Sequence, residues 1–109
     1  MQGRAEIDAG ICGNQTTITA TTGDGRAVSF AIETTCGMIT RLAELVDEAG
    51  PVDAYRAISP QAPANVVLDA GREALCCPDC IVSAAALKAL RVAAQLALPA
   101  EVHIELVKE

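Results

Sequence analysis

Between Arg4 and Thr34 the chain alternates apolar and polar residues in three successive runs, and this period of two limits its folding more than any other feature. In Arg4–Ile11, Ala5, Ile7, Ala9 and Ile11 fall on one side, and Arg4, Glu6 and Asp8 on the other. In Gln15–Thr22, Ile18 and Ala20 oppose Thr17, Thr19 and Thr21, whose branched side chains suit a pleated strand. Arg26–Thr34 places Val28, Phe30 and Ile32 on one face. Gly23-Asp24-Gly25 separates the second run from the third, and Asp-Gly readily supplies the positive φ of a tight turn. Glu101–Val107 repeats the pattern, with Val102, Ile104 and Leu106 inward and His103 and Glu105 outward. Strands with a single apolar face make an antiparallel sheet covered on one side only.

Two segments carry helical spacing instead. Gly37–Ala49 repeats Met38/Ile39, Leu42 and Leu45/Val46, and Gly50-Pro51 stops it. Pro78–Leu98 is apolar around most of its girth, with Pro78 as the first helical residue and Asp79 favouring the helix start. Between them, residues 50–75 are interrupted by Pro51, Pro60 and Pro63. Val52–Ile58 and Ala64–Leu75 are short helix candidates there, the second weakened by Gly71. The expectation is one α+β domain, residues 1–109, in the order β-β-β-α-(irregular)-α-β. Its two main helices cover one face of a four-stranded antiparallel sheet.

The core has to be aliphatic, because aromatic residues make up 2% of the chain (Tyr55, Phe30 and no Trp). That poverty also removes the stacking platforms that single-stranded nucleic acid uses. The net charge is −6 and no run of Lys or Arg occurs, which disfavours phosphate backbones and anionic lipid. No apolar leader opens the sequence, and no apolar stretch is long enough to span a membrane. A cytoplasmic location follows as the expectation. In a reducing compartment five cysteines do not read as a disulfide framework, and metal binding or redox chemistry is the usual reason for them.

All five cysteines fall in loops or at helix starts. Cys12 follows the first strand, Cys36 lies between the third strand and the first helix, Cys76 and Cys77 precede Pro78, and Cys80 falls in the first turn of the long helix. A helix N-terminus favours thiolate over thiol, and thiolate is the form that binds metal. These cysteines point first to a module for an iron–sulfur cluster or a thiophilic metal such as zinc. Cys77-Pro78-Asp79-Cys80 is also a C-x-x-C, open to a thiol–disulfide or sulfur-relay role with Cys76 nearby. A third reading has the cysteines simply packing as small hydrophobes. No hydrolase signature is present, the lone His103 sits on a polar strand face, and a binding module is favoured over an enzyme.

The order of Cys12-Gly13-Asn14, Thr35-Cys36-Gly37 and Cys76-Cys77 before a helix resembles the iron–sulfur assembly scaffolds of the IscU type, the NifU N-terminal domain. Cys12 to Cys36 spans 24 residues and Cys36 to Cys77 spans 41, similar to that family's spacing. The chain also looks like a small uncharacterised prokaryotic family with C-G, lone C and C-P-x-x features. The scaffold resemblance implies Cys12, Cys36 and Cys77 as cluster ligands, with Cys80 or Cys76 supplying a fourth sulfur. It implies a sulfur donor or a cluster acceptor as partner. The scaffold's labilising Asp is Asn14 here, the His before its third cysteine is Cys76, and its Leu-Pro-Pro-Val-Lys stretch has no counterpart. Asn14 in place of Asp would make the cluster slower to leave, so that the protein stores, senses or carries it.

Overall fold

The computed structural model describes residues Met1–Glu109. Strands β1 (Gln2–Asp8), β2 (Gln15–Thr21) and β3 (Ala27–Thr34) form an antiparallel meander. Strand β4 (Val52–Asp53) pairs antiparallel with the start of β3, which gives the sheet order β1-β2-β3-β4. The register aligns Ala5 with Ile18 and Ile18 with Ile32, so the apolar positions of successive strands share one face. The Gly23-Asp24-Gly25 turn is tied by the Asp24 carboxylate, which accepts the N–H groups of Arg26 and Ala27, each at 2.9 Å. Those two bonds, and one from the Thr22 hydroxyl at 3.1 Å, hold its carboxyl below the usual carboxylate range.

Four helices follow: α1 (Gly37–Glu48), α2 (Ala54–Ala57), α3 (Val66–Glu73) and α4 (Val82–Ala93). Helix α1 lies over β3, α4 covers β1 and β2, and α3 packs against both helices. The sheet contributes Ile7, Ile18, Ala20 and Val28 to the core. The helices answer with Ile39, Leu42, Val46, Val67, Leu90 and the alanine stripe Ala86, Ala89 and Ala93. With such small residues α4 lies almost on the backbone of β1. A Cβ at Gly3 would run into the Ala89 carbonyl oxygen and sit 2.9 Å from the Ala93 nitrogen. The short strand β4 is fastened by Arg26, whose Nε donates to Asp53 Oδ2 at 3.1 Å. The same guanidinium lies 5.0 Å from the centre of the Tyr55 ring.

The α+β class, the four-stranded antiparallel sheet and the helix-covered face match the sequence expectation. The expected element order does not hold at its end. Glu101–Val107 forms no strand; it is exposed and carries no regular structure. The fourth strand is instead Val52–Asp53, too short to leave a pattern in the sequence. Helix α4 is also shorter than Pro78–Leu98. It begins at Val82 and ends where Gln95 adopts the left-handed conformation (φ 61°), closing the helix with Leu96 N–H bonded to the Arg91 carbonyl at 2.8 Å. Ile11, expected inward, is fully exposed because a 3-10 turn, Gly10–Cys12, lifts it off the sheet. No helix is long and apolar enough to cross a membrane.

Candidate functional site

Three chain reversals carry four of the five cysteines. The first is the end of α3. Leu75 takes the left-handed conformation (φ 59°), its N–H bonds to the Arg72 carbonyl at 3.1 Å, and the Cys76 N–H reaches back to the Gly71 carbonyl at 3.0 Å. This double closure usually has glycine in the left-handed place. An exposed leucine there carries roughly 1–2 kcal/mol of backbone strain and sets the direction in which Cys76 leaves the helix. Leu75→Gly is therefore expected to stabilise the fold by about 0.5–1 kcal/mol, less than the strain relieved because glycine also loosens the unfolded chain. A rise in urea midpoint with an unchanged m-value would show it, and a fall would refute the strain argument.

The second reversal is Cys77-Pro78-Asp79-Cys80, closed by the Cys80 N–H on the Cys77 carbonyl at 3.0 Å. Cys80 thus precedes α4 and is not in its first turn, and Pro78 is not the first helical residue. Proline's fixed φ suits the second position of a β-turn as well as a helix start, and here the turn takes it. The third reversal joins β3 to α1. Cys36 is the N-cap of α1 in extended conformation, its N–H bonded to Thr34 Oγ1 at 3.1 Å and its carbonyl accepting from the Thr40 N–H at 3.0 Å.

Packing of α1 against α3 brings the first and third reversals together. Cys36, Cys76 and Cys80 are half-buried against the common core, while Cys77 is exposed. Burial raises the Cys76 thiol above its ordinary pKa, and the neighbouring sulfurs of Cys80, Cys36 and Cys77 raise it further. Only a backbone hydrogen bond opposes this rise, and no cationic side chain contributes. The sulfurs of Cys36, Cys77 and Cys80 therefore lie near enough to act on Cys76. No three of the His, Cys, Asp and Glu side chains are arranged to hold a metal ion as they stand.

Cys12 stands differently. It closes the exposed 3-10 turn and is not among the groups whose charge reaches Cys76. Its loop is nonetheless tied to the Cys36 reversal, because Thr35 Oγ1 donates to Asn14 Oδ1 at 3.0 Å and accepts the Gln15 N–H at 3.0 Å. The Asn14 side chain is thus engaged in fastening two loops.

Residues 3–106 match the model of a family described as "Family of unknown function (DUF6951)". No curated protein matches, and no solved structure matches. The match corrects the resemblance to the IscU-type scaffolds: the family model that fits this chain is a different one, and no scaffold model of the IscU or NifU kind fits. Motif order and spacing alone misled, since a cysteine at a strand end and one before a helix arise in any sheet whose turns meet helix starts.

Proposed function

The chain belongs to the DUF6951 family, and from that premise we propose that it binds a soft cation, zinc or an iron–sulfur cluster, through Cys36, Cys76, Cys77 and Cys80. The observation that carries this reading is that Cys36, Cys76 and Cys80 are half-buried against one core, with the sulfurs of Cys36, Cys77 and Cys80 near enough to act on the Cys76 thiol. Burial and the neighbouring sulfurs favour the protonated form of Cys76, and a thiophilic cation binds by displacing thiol protons and stabilising the thiolates. The donor set fits such a cation. Four sulfurs with no imidazole or carboxylate match closed tetrahedral zinc sites and the four-cysteine shells of iron–sulfur clusters. The side chains do not converge as they stand, so binding would require the turn that carries exposed Cys77 to shift toward Cys36 and Cys76. The role is a binding one, in a compartment that keeps thiols reduced. A sulfur donor or a cluster acceptor is the class of partner an iron–sulfur cargo would need.

A second reading rests on one specific feature. The backbone bond from Cys80 to Cys77 holds the two residues in a tight turn, which is how a dithiol pair is kept ready to oxidise. One experiment separates the two. Protein purified without oxygen is titrated with zinc, and separately with ferrous iron and sulfide, and its thiols are then alkylated. The expected result is one zinc or one cluster per chain, with the four named cysteines protected and Cys12 still reactive. Absence of uptake, with Cys77 and Cys80 readily forming a disulfide, would replace the first reading by the second.

A further inference from the structure

The segment Glu101–Val107 and the outer edge of β1 are complementary, and we infer that in a dimer the segment of one copy adds as a strand to β1 of a second copy. Both halves of this pairing lack a partner in the single chain. In the ladder, Met1 and Thr22 exchange hydrogen bonds in both directions, each at 2.9 Å, so the odd-numbered residues of β1 turn their amides toward β2. The N–H and C=O groups of Gln2, Arg4, Glu6 and Asp8 consequently point to the free edge. The segment, for its part, leaves Val102, Ile104, Leu106 and Val107 exposed in a strand-like alternation. A run of exposed branched side chains beside an uncovered strand edge is the usual arrangement for strand addition.

Charge and size select the antiparallel register. Arg4 opposite Glu105 and Glu6 opposite His103 form complementary pairs on the solvent face, while Val102, Ile104 and Leu106 fall beside Ile7, Ala5 and Gly3 on the covered face. A shift of two residues either way sets Glu6 against Glu101 or Glu105. A shift of one turns every apolar side chain to solvent. Only Asp8 and Glu101 are alike in charge, and they fall at the end of the pairing, where Asp8 Oδ1 already accepts the Gly10 N–H at 3.3 Å.

The single chain leaves its own β1 edge free and residues 101–107 exposed without regular structure, which favours a second copy as the occupant. Helix α4 ends over Gly3, so a segment continuing along its own β1 would run parallel to it, the less stable way to pair. The other open edge, along β3, borders a groove of about 550 Å³ lined by Phe30, Ile32, Glu33, Glu44 and Asp47 among others, whose acids repel Glu101 and Glu105. Reciprocal exchange between two copies closes both β1 edges.

Sedimentation equilibrium on the chain Met1–Glu109 tests this directly. A dimer is expected in the micromolar range. Glu105→Arg and Arg4→Glu should each weaken it about tenfold, because each cross-strand pair occurs twice in a two-fold dimer. The double variant should return to within about threefold of the starting affinity. A monomer at every concentration would overturn the inference, as would a dimer indifferent to Glu105→Arg or to removal of residues 100–109. A monomer in which the amides of 101–107 are protected would also overturn it, showing the segment paired with its own chain.

Discussion

Cys77→Ser is expected to lower zinc affinity by at least about 100-fold, beyond the 10- to 100-fold cost of losing a group that merely orients a ligand. A serine hydroxyl at neutral pH is a neutral, hard donor, so the substitution removes both a sulfur and a negative charge from the set. Cys36→Ser and Cys80→Ser should behave alike, and Cys12→Ser should change affinity less than threefold, because Cys12 is not among the groups that act on Cys76. Competition against a chelator of known affinity gives the numbers. Thermal unfolding offers a second readout: free zinc at 100 times Kd stabilises by about 2.7 kcal/mol. For a domain of this size that raises Tm by roughly 10–20 °C. Equal affinities for the Cys12 and Cys77 variants would exclude the four-sulfur site.

Gly3→Val should be the most damaging substitution in the sheet. The new side chain would meet the Ala89 carbonyl oxygen and the Ala93 amide, backbone atoms that cannot rotate away, so α4 itself has to move. Overpacking a core costs typically 1–3 kcal/mol, and a clash with helix backbone places this case at about 3 kcal/mol or more. Against a total stability of about 5–15 kcal/mol the variant loses a large share of its margin. Gly23→Ala is the control, since a Cβ there meets nothing within 4 Å, and it should fall within about 0.5 kcal/mol of the parent. Paired urea melts decide the matter. Similar midpoints for the two variants would mean that α4 does not lie as close to β1 as described.

The first three strands were legible because helices bury one of their faces, and burial of one face is what writes a period of two into a sequence. Glu101–Val107 carries that period as clearly as β1 does, yet alternation says only that a segment has an apolar face to offer. Whether anything covers it depends on where α4 stops, and that rests on the conformation of Gln95, which no pattern announces. Conversely, Val52–Asp53 is held by Arg26, a contact between distant residues with no local signature, while the Asp53 cap is local and marks the start of α2 rather than a strand. That Cys36, Cys76, Cys77 and Cys80 sit where the chain reverses was legible from position. The turn at Pro78 was not, because the same residue preference serves a helix start. The place of Cys12 turned on a 3-10 turn that glycine at positions 10 and 13 permits, both at positive φ.

Tyr55, held under the Arg26 guanidinium at the β3–β4 junction, is the only strong near-ultraviolet absorber in a chain without tryptophan. Optical work on this protein thus has a nearly dark background. Thiolate-to-iron charge-transfer bands would stand almost alone, so cluster loading would be read by absorbance without subtraction of an aromatic envelope, whereas zinc–thiolate bands fall in the far ultraviolet under the peptide absorption. The corresponding cost is that tyrosine fluorescence reports the docking of a two-residue strand and says little of the aliphatic core. Unfolding of the core has to be read from far-ultraviolet circular dichroism, amide exchange or heat capacity. A tyrosine signal that changes before those do would reveal release of β4 ahead of the rest of the sheet.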